Sequence, residues 1–161
     1  MTIPNTQPIS QRIADLGIAI PTLPEPVAAY IPAIRYGDLI QTAGQIPIKT
    51  GVPIRTGTVP DVVSTEQAAE AARQCALNAI AAAAHAAGGI DNLVRPIKVT
   101  CFVASPPGYT DHPKVANGAS HLLEQIFGDD GTHARAAVGA PSLPLGVPVE
   151  VEILFMAKPS T

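Results

Sequence analysis

The sequence is poor in charged, aromatic and sulfur-containing side chains. Of its 161 residues only 14% are charged and 4% aromatic, with no tryptophan and two cysteines. Two cysteines cannot build a disulfide framework, and no H-x-x-x-H or C-x-x-C spacing indicates a zinc site. We therefore predict that Cys75 and Cys101 are buried free thiols and that the protein is cytoplasmic.

Several functional classes are excluded by what is missing. The longest apolar stretch, 68–87, is interrupted by polar side chains such as Glu70 and Arg73, so we expect no membrane span. No basic region followed by an apolar block opens the chain, so we expect no secretory signal. A net charge of −3 without a basic run argues against a nucleic-acid partner. G-x-S-x-G, P-loop and G-x-G-x-x-G motifs do not occur.

The scarcity of charge has two explanations. Hydrophobic residues make up 47% of the chain, whereas charged residues fall well below the usual share of about 25%. Abundant alanine explains part of this, because alanine exposes little apolar area. The alternative is that part of the surface is buried against other subunits, and we favour that explanation.

The hydrophobic pattern predicts a single domain over residues 1–161, with 1–27 as an extension that contains a short helix. We expect helices at 9–16, 64–87 and 113–127 and strands at 28–36, 39–47, 95–105, 134–140 and 147–157, with a short irregular strand at 52–58. Helices between strands predict an α+β fold in which two helices cover one face of a single mixed sheet. The other face is the expected oligomer surface.

The last two strands carry the candidate chemistry. Glu150 and Glu152 alternate with apolar residues, which places both carboxylates on one strand face. Arg135 stands alone among small residues in 134–140, so its guanidinium is openly presented. Arginine binds carboxylates through two parallel hydrogen bonds. Arg135 therefore either forms an ion pair with Glu150 or Glu152, or anchors a small carboxylate ligand.

Other positions have a structural and a functional interpretation. Gly44 interrupts a strand pattern, which indicates a bulge or a close approach by a ligand. Tyr30 is either a half-buried packing residue or part of a site. Asn117 either bonds locally within its helix or contacts a ligand. We interpret Asp111 and His112 as parts of a helix cap.

Two groups of motifs resemble one family. Segment 37–47 (GDLIQTAGQIP) resembles the first hairpin of the YjgF/RidA family, also called L-PSP or reactive intermediate deaminase. Segments 134–139 (ARAAVG), 143–146 (LPLG) and 149–152 (VEVE) resemble its C-terminal signature. The long N-terminus, the segment from Asn117 and GTHAR at 131–135 are similar to a longer subgroup labelled chorismate-mutase-like endoribonuclease.

The resemblance implies a fold similar to AroH-type chorismate mutase and a homotrimer with a central β-barrel and clefts between subunits. In deaminating members, a cleft arginine binds the carboxylate of an enamine or imine acid, while a glutamate and backbone groups position water. Arg135 matches that arginine and Glu150 that glutamate. Tyr30 and Gly44 match the cleft tyrosine and the hairpin glycine. No cofactor or metal is implied.

The sequence departs from the deaminating branch at two positions. Ala43 stands where a serine commonly precedes the hairpin glycine, and Ala137 stands where a cysteine commonly follows the arginine. Asn117 is the candidate match for the cleft asparagine, although the helix-to-strand spacing differs. If backbone atoms hold the water, Ala137 is compatible with activity, whereas a required thiol would make the chain inactive.

The resemblance implies an enamine or imine deaminase that acts on small 2-imino and 2-enamine carboxylic acids, with Arg135 and Glu150 as the catalytic pair. Tyr30, Ala43, Gly44, Asn117 and Ala137 complete the predicted substrate site. The alternative is a non-catalytic protein that binds small carboxylates or keto acids. An endoribonuclease and a chorismate-mutase-like enzyme are weaker alternatives, the former because the chain is acidic and poor in aromatic residues.

Overall fold

The structure is a computed structural model that describes residues 7–23 and 30–160. The helices are α1 (Ile9–Asp15), α2 (Thr65–Ala87) and α3 (His112–Phe127), and the strands are β1 (Ala33–Tyr36), β2 (Leu39–Thr42), β3 (Ile48–Lys49), β4 (Val52–Pro53), β5 (Leu93–Ala104), β6 (Ala134–Ala140) and β7 (Val149–Ala157). Residues 1–6 and 24–27 of the predicted extension and residues 28–29 of the predicted strand 28–36 lie outside the described residues.

One five-stranded sheet has the order β1-β2-β7-β5-β6, and β3 and β4 form a separate hairpin. β5 and β6 are parallel, and the other neighbours in the large sheet are antiparallel. The parallel pair is joined through α3, because a parallel connection has to cross over the sheet. The predicted α+β architecture is therefore confirmed. β6 and β7 follow each other in sequence, but β5 lies between them in the sheet.

The hairpin strand predicted at 39–47 is shorter than expected. β2 leaves the ladder after Thr42, and the chain rejoins β7 only at Gln45, which exchanges two backbone hydrogen bonds of 2.8 and 2.9 Å with Val151. Ala43 and Gly44 therefore form an irregularity in the strand, as a glycine at this point predicts. The region predicted as an irregular strand at 52–58 contributes only β4.

The helix predicted at 64–87 is confirmed with both of its boundaries. The hydroxyl of Ser64 accepts a hydrogen bond from the Gln67 backbone N–H at 3.1 Å, and the Gln67 side chain accepts one from the Ser64 N–H at 3.0 Å. Gly88 ends the helix with φ of 76°, a conformation that glycine adopts without strain. Within the described residues, no helix is long and apolar enough to cross a membrane.

Both long helices cover the same side of the sheet. Alternate residues of β7 are fully buried beneath them: Val149, Val151, Ile153 and Phe155. α2 and α3 also approach each other closely, because a Cβ added at Gly118 would lie 2.6 Å from the carbonyl carbon of Ala69. Small residues are thus what allows the two backbones to touch. Cys75 and Cys101 are buried free thiols in this core, as predicted.

The opposite side of the sheet is open. Four apolar side chains on it are 38–53% exposed: Ile34, Tyr36, Val138 and Met156. The register places them with Glu150 and Glu152, since Val138 and Glu150 both pair with Phe102. No helix within residues 7–23 or 30–160 covers this side. We call these six residues and their half-buried neighbours the open face.

Residues 7–23 pack along the edge of the helical layer. Ile13 of α1 is buried in the core, and the backbone and hydroxyl of Ser10 donate hydrogen bonds of 2.8 and 2.7 Å to the carboxylate of Asp91. These two hydrogen bonds lower the pKa of Asp91. Ser10 therefore ties the extension to the turn before β5 and does not cap α1, whose N-cap residue is Pro8.

Candidate active site

Arg135 leaves β6 on the helix-covered side of the sheet. It pairs with the buried Val99 in the parallel ladder, and paired residues of neighbouring strands project to the same side. There its Nη1 donates to the Asn117 side-chain oxygen at 2.9 Å and to the Ser120 hydroxyl at 3.0 Å. Asn117 therefore contacts the arginine, and the purely local role considered for it is wrong.

The rest of the Arg135 guanidinium remains available. Neither Nε nor Nη2 donates a hydrogen bond within the described residues, and Arg135 forms none of their ion pairs. The ion pair of Arg135 with Glu150 or Glu152, which was one of the two alternatives from the sequence, is therefore not formed. The Nε–Nη2 edge carries two parallel N–H groups, which is the geometry that binds a carboxylate with two hydrogen bonds.

Glu150 lies on the open face, on the other side of the sheet. Its neighbours along β7, Val149 and Val151, are fully buried on the helix side, so Glu150 projects the opposite way. Burial raises the pKa of Glu150, and the charge of Glu152 raises it further. A half-buried carboxylate with a raised pKa is the usual form of a general base that works near neutral pH.

Gly44 lies directly against Glu150. A Cβ added at Gly44 would lie 2.9 Å from the Glu150 carboxyl carbon, so any side chain there would displace the carboxylate. Ala43 is held beside it by a 2.8 Å hydrogen bond from its N–H to the Pro32 carbonyl. The irregular strand thus brings backbone atoms to a carboxylate.

Tyr30 and Gly44 also border a groove of about 860 Å³, which lies between the segment 44–51, α2 and the segment 16–23. Tyr30 is 66% exposed, so its interpretation as a half-buried packing residue is wrong. Asn78 of α2 closes the floor of the groove by donating to the carbonyls of Ile46 and Ile48, at 3.0 Å each.

The predicted site residues therefore form two groups. Arg135 and Asn117 lie beside α3 at the β6 edge, whereas Tyr30, Ala43, Gly44 and Glu150 lie around β2 and β7. Two strand spacings of about 4.8 Å separate β6 from β7, and Arg135 and Glu150 project from opposite sides. One chain by itself does not bring its arginine to its own glutamate.

Comparison with known proteins places this arrangement in a family. The model of the family described as Endoribonuclease L-PSP matches residues 21–157. The chain belongs to the L-PSP family. Protein TCP17 of Trypanosoma cruzi is 35% identical over 147 residues, which is 91% of this chain and 92% of that protein.

Solved structures agree with this membership. The protein Atu1372 of Agrobacterium tumefaciens, whose structure is described as of unknown function, is 36% identical with a TM-score of 0.83, covering 92% of this chain and 91% of that one. The YjgF gene product of E. coli is 27% identical with a TM-score of 0.58, covering 84% and 93%. The L-PSP fold predicted from the hairpin and C-terminal motifs is thereby confirmed.

The L-PSP chain has no thiol at the arginine strand. Ala137 pairs with Cys101 of β5, and burial raises the pKa of Cys101 to about 12 even though the Arg135 charge opposes the shift. Cys101 is therefore an unreactive neighbour and not a replacement for the cysteine that the resemblance leads us to expect. Any contribution of position 137 comes from its backbone.

A second cavity of about 370 Å³ lies at the carboxyl ends of β5 and β6. His112 approaches Ser105 there, with 3.1 Å between His112 Nε2 and the hydroxyl, and its ring packs edge-on against Tyr109. Asp111 stands at the N-cap without a side-chain cap bond and instead pairs with Lys114 at 3.0 Å. Residues 7–23 and 30–160 contain no cluster of metal-binding side chains.

Two further residues, Ser120 and His133, belong to the arginine group and were not among the predicted site residues. Ser120 stands three positions after Asn117 in α3, and His133 precedes Arg135 by two. A helix spacing of three places Ser120 on the same face of α3 as Asn117. That spacing was a usable signal in the sequence.

Proposed function

We propose that this L-PSP protein is an enamine or imine deaminase, which hydrolyses small 2-imino and 2-enamine carboxylic acids to keto acids and ammonia. The observation that carries the proposal is Arg135. Its Nη1 is held by Asn117 and Ser120 while its Nε–Nη2 edge is free. An arginine that is oriented by neutral partners and lacks a carboxylate partner among the described residues is suited to bind a carboxylate ligand.

Glu150 supplies the acid–base chemistry in this proposal. An enamine first tautomerises to the imine, with its carbon gaining one proton from water and its nitrogen releasing one to water. Water then adds its oxygen to the imine carbon while Glu150 carries a proton from that oxygen to the nitrogen, giving a carbinolamine. Glu150 next carries the hydroxyl proton to the same nitrogen, the C–N bond breaks, and ammonia leaves as the carbonyl forms. Its raised pKa supports proton exchange in both directions.

The complete site is proposed to lie between copies of the chain. Arg135 and Asn117 come from one copy, and Glu150, Gly44 and Tyr30 come from its neighbour. The opposite orientation of Arg135 and Glu150 supports this arrangement. The open face supports it as well, since exposed Ile34, Tyr36, Val138 and Met156 are apolar side chains that a second copy would cover. A closed homotrimer would contain three such clefts.

Backbone atoms take the place of the missing side chains. The peptide groups of Ala43, Gly44 and Ala137 contact substrate and water in this proposal, because their methyl or hydrogen side chains leave those groups accessible.

The two buried free thiols support a cytoplasmic location.

The test is release of ammonia from a 2-imino acid that an excess of amino-acid oxidase generates in situ. We expect wild type to accelerate release and Arg135→Ala to lower kcat/KM about 100-fold, as loss of charge-assisted hydrogen bonds predicts. Arg55→Ala is the matched control, because Arg55 is a surface arginine paired with Glu70 at 3.2 Å.

Two outcomes would reject the proposal. Equal rates for wild type and Arg135→Ala would mean that the arginine does not bind the substrate. Saturable binding of 2-oxo acids without any acceleration would instead favour the non-catalytic carboxylate-binding protein.

A further inference from the structure

A chain of hydrogen bonds leads away from Arg135 into the protein. The Arg135 Nη1 donates to the Ser120 hydroxyl at 3.0 Å. That hydroxyl lies 2.9 Å from His133 Nε2, and His133 Nδ1 lies 2.6 Å from the carbonyl oxygen of Gly131. The arginine, the serine, the histidine and a backbone carbonyl thus form one continuous series.

When the His133 ring is neutral, the direction of every proton in this series follows from its two ends. A carbonyl oxygen only accepts, so His133 donates from Nδ1 and the neutral ring keeps a lone pair on Nε2. An arginine only donates, so the Ser120 oxygen accepts from Nη1. The one hydroxyl proton of Ser120 is then left for His133 Nε2. Ser120 thus accepts from Arg135 and donates to His133, and His133 accepts from Ser120 and donates to Gly131.

Burial gives the series its rigidity. Ser120 is only 7% exposed, so water does not compete freely for its hydroxyl. Without the His133 acceptor, the hydroxyl could rotate and turn its proton toward Nη1, which is also a donor. His133 therefore keeps the oxygen lone pairs of Ser120 directed at the arginine.

We propose that His133 and Ser120 are positioning residues that fix the rotation of the Arg135 guanidinium and so direct its Nε–Nη2 edge toward the substrate carboxylate. This inference rests on the proposed function for its substrate, but the fixed rotation is a property of the ligand-free protein. His133 lies directly before β6, two residues ahead of Arg135.

Three variants separate the parts of the series. Ser120→Ala removes the hydroxyl, and His133→Phe keeps a ring but removes the acceptor. His133→Gln is the conservative control, because its amide oxygen reaches the position of Nε2 and accepts from Ser120. We expect the KM for a 2-imino acid and the Kd for 2-oxobutyrate to rise about 10-fold in the first two variants and about 2-fold in the third. The expected kcat stays within about 2-fold, because carboxylate binding is shared by ground and transition states.

A double-mutant cycle shows whether the two residues act through the arginine. In an Arg135→Ala background, Ser120→Ala and His133→Phe are expected to have no further effect on KM or Kd. Losses of equal size with and without Arg135 would overturn the proposal, because they would indicate a general structural role. Near-UV circular dichroism and Tm of each variant control for folding.

NMR of ¹⁵N-arginine-labelled, ligand-free protein tests the rotation without any substrate. We expect resolved Nη signals for Arg135 in wild type and His133→Gln, and averaged signals in Ser120→Ala and His133→Phe. Averaged signals in wild type would overturn the proposal. Resolved wild-type signals that average in the two variants, together with no binding of any oxo acid, would support the positioning role and reject the proposed function.

Discussion

Gly44 and Glu150 are in direct contact, and the contact depends on the missing side chain at Gly44. A methyl group there would lie 2.9 Å from Cδ and 3.2 Å from Cγ of Glu150. Real Cβ atoms essentially never lie within 3.0 Å of another heavy atom outside their own chain neighbours, so the carboxylate would have to move. The absence of a Cβ atom at Gly44 is therefore what leaves room for the Glu150 carboxylate of β7.

Gly44→Ala is expected to reduce kcat about 100-fold, because displacing a catalytic group by about 1 Å has an effect of that size. Tm falls only slightly, because the atoms that must move are the end of the flexible Glu150 side chain. Ammonia release and thermal unfolding measure the two effects.

The control for this prediction is the double variant Gly44→Ala/Glu150→Ala. Removing the carboxylate relieves the overlap, so the double variant recovers the Tm lost by Gly44→Ala while staying inactive. If the Tm loss were the same in both backgrounds, the overlap with Glu150 would not be its cause.

The pH dependence of the proposed reaction follows from Glu150. A general base has to be deprotonated, so kcat/KM falls as pH falls through the pKa of Glu150. Burial and Glu152 both raise that pKa, so the acid limb is expected above the ordinary range of a glutamate, about 4.3.

Glu152→Gln removes the second of these two causes and keeps the shape of the side chain. The expected result is an acid limb shifted to lower pH, still above the ordinary glutamate range because burial remains. Glu124→Gln is the matched control, because it makes the same substitution at an exposed position of α3. It is expected to leave the acid limb in place. A limb that did not respond to Glu152→Gln would assign the titration to another group.

Local signals allowed parts of the fold to be predicted from the sequence. The boundaries of α2 were predictable because Ser64, Gln67 and Gly88 satisfy backbone groups within one turn of the helix ends. The alternation in β7 likewise placed Glu150 opposite to the buried valines. These features depend on neighbours a few residues apart.

The order of the strands was not predictable in the same way. Alternation within β6 and β7 is the same whether the two strands are neighbours or flank β5, so the sequence did not indicate that Arg135 and Glu150 are apart. Pairing with β5 is a long-range property. The contact of Ser120 with Arg135 spans 15 residues, so the sequence could place Ser120 on the same helix face as Asn117 but could not show that this face meets the arginine.

The open face gives a prediction about self-association. Val138 is 45% exposed there, and Val138→Lys would place a charge in the proposed contact between copies. We expect wild type to sediment as a trimer and this variant to shift toward monomer, at micromolar concentration.

Val52→Lys is the matched control, because Val52 is 60% exposed but lies in the β3–β4 hairpin, away from the large sheet. It is expected to leave the sedimentation coefficient unchanged. A wild-type protein that sedimented as a monomer would show that the open face is not a contact between copies of the chain.

Mixing two inactive variants tests whether one active site is built from two copies. Arg135→Ala subunits keep Glu150, and Glu150→Gln subunits keep Arg135. When the two are refolded together in equal amounts, a cleft that takes each residue from a different copy is intact in about one quarter of cases, by random assembly of a closed ring. We therefore expect about 25% of wild-type ammonia release, a recovery that neither variant shows alone.

The control is the mixture prepared without refolding, in which each trimer keeps a single type of subunit and stays inactive until subunits exchange. Activity that appears with the rate of subunit exchange would tie recovery to mixed assembly. Absence of recovery in trimers shown by mass spectrometry to be mixed would mean that Arg135 and Glu150 do not serve one cleft. The position of Arg135 and Glu150 on opposite sides of one sheet would then exclude them as a catalytic pair.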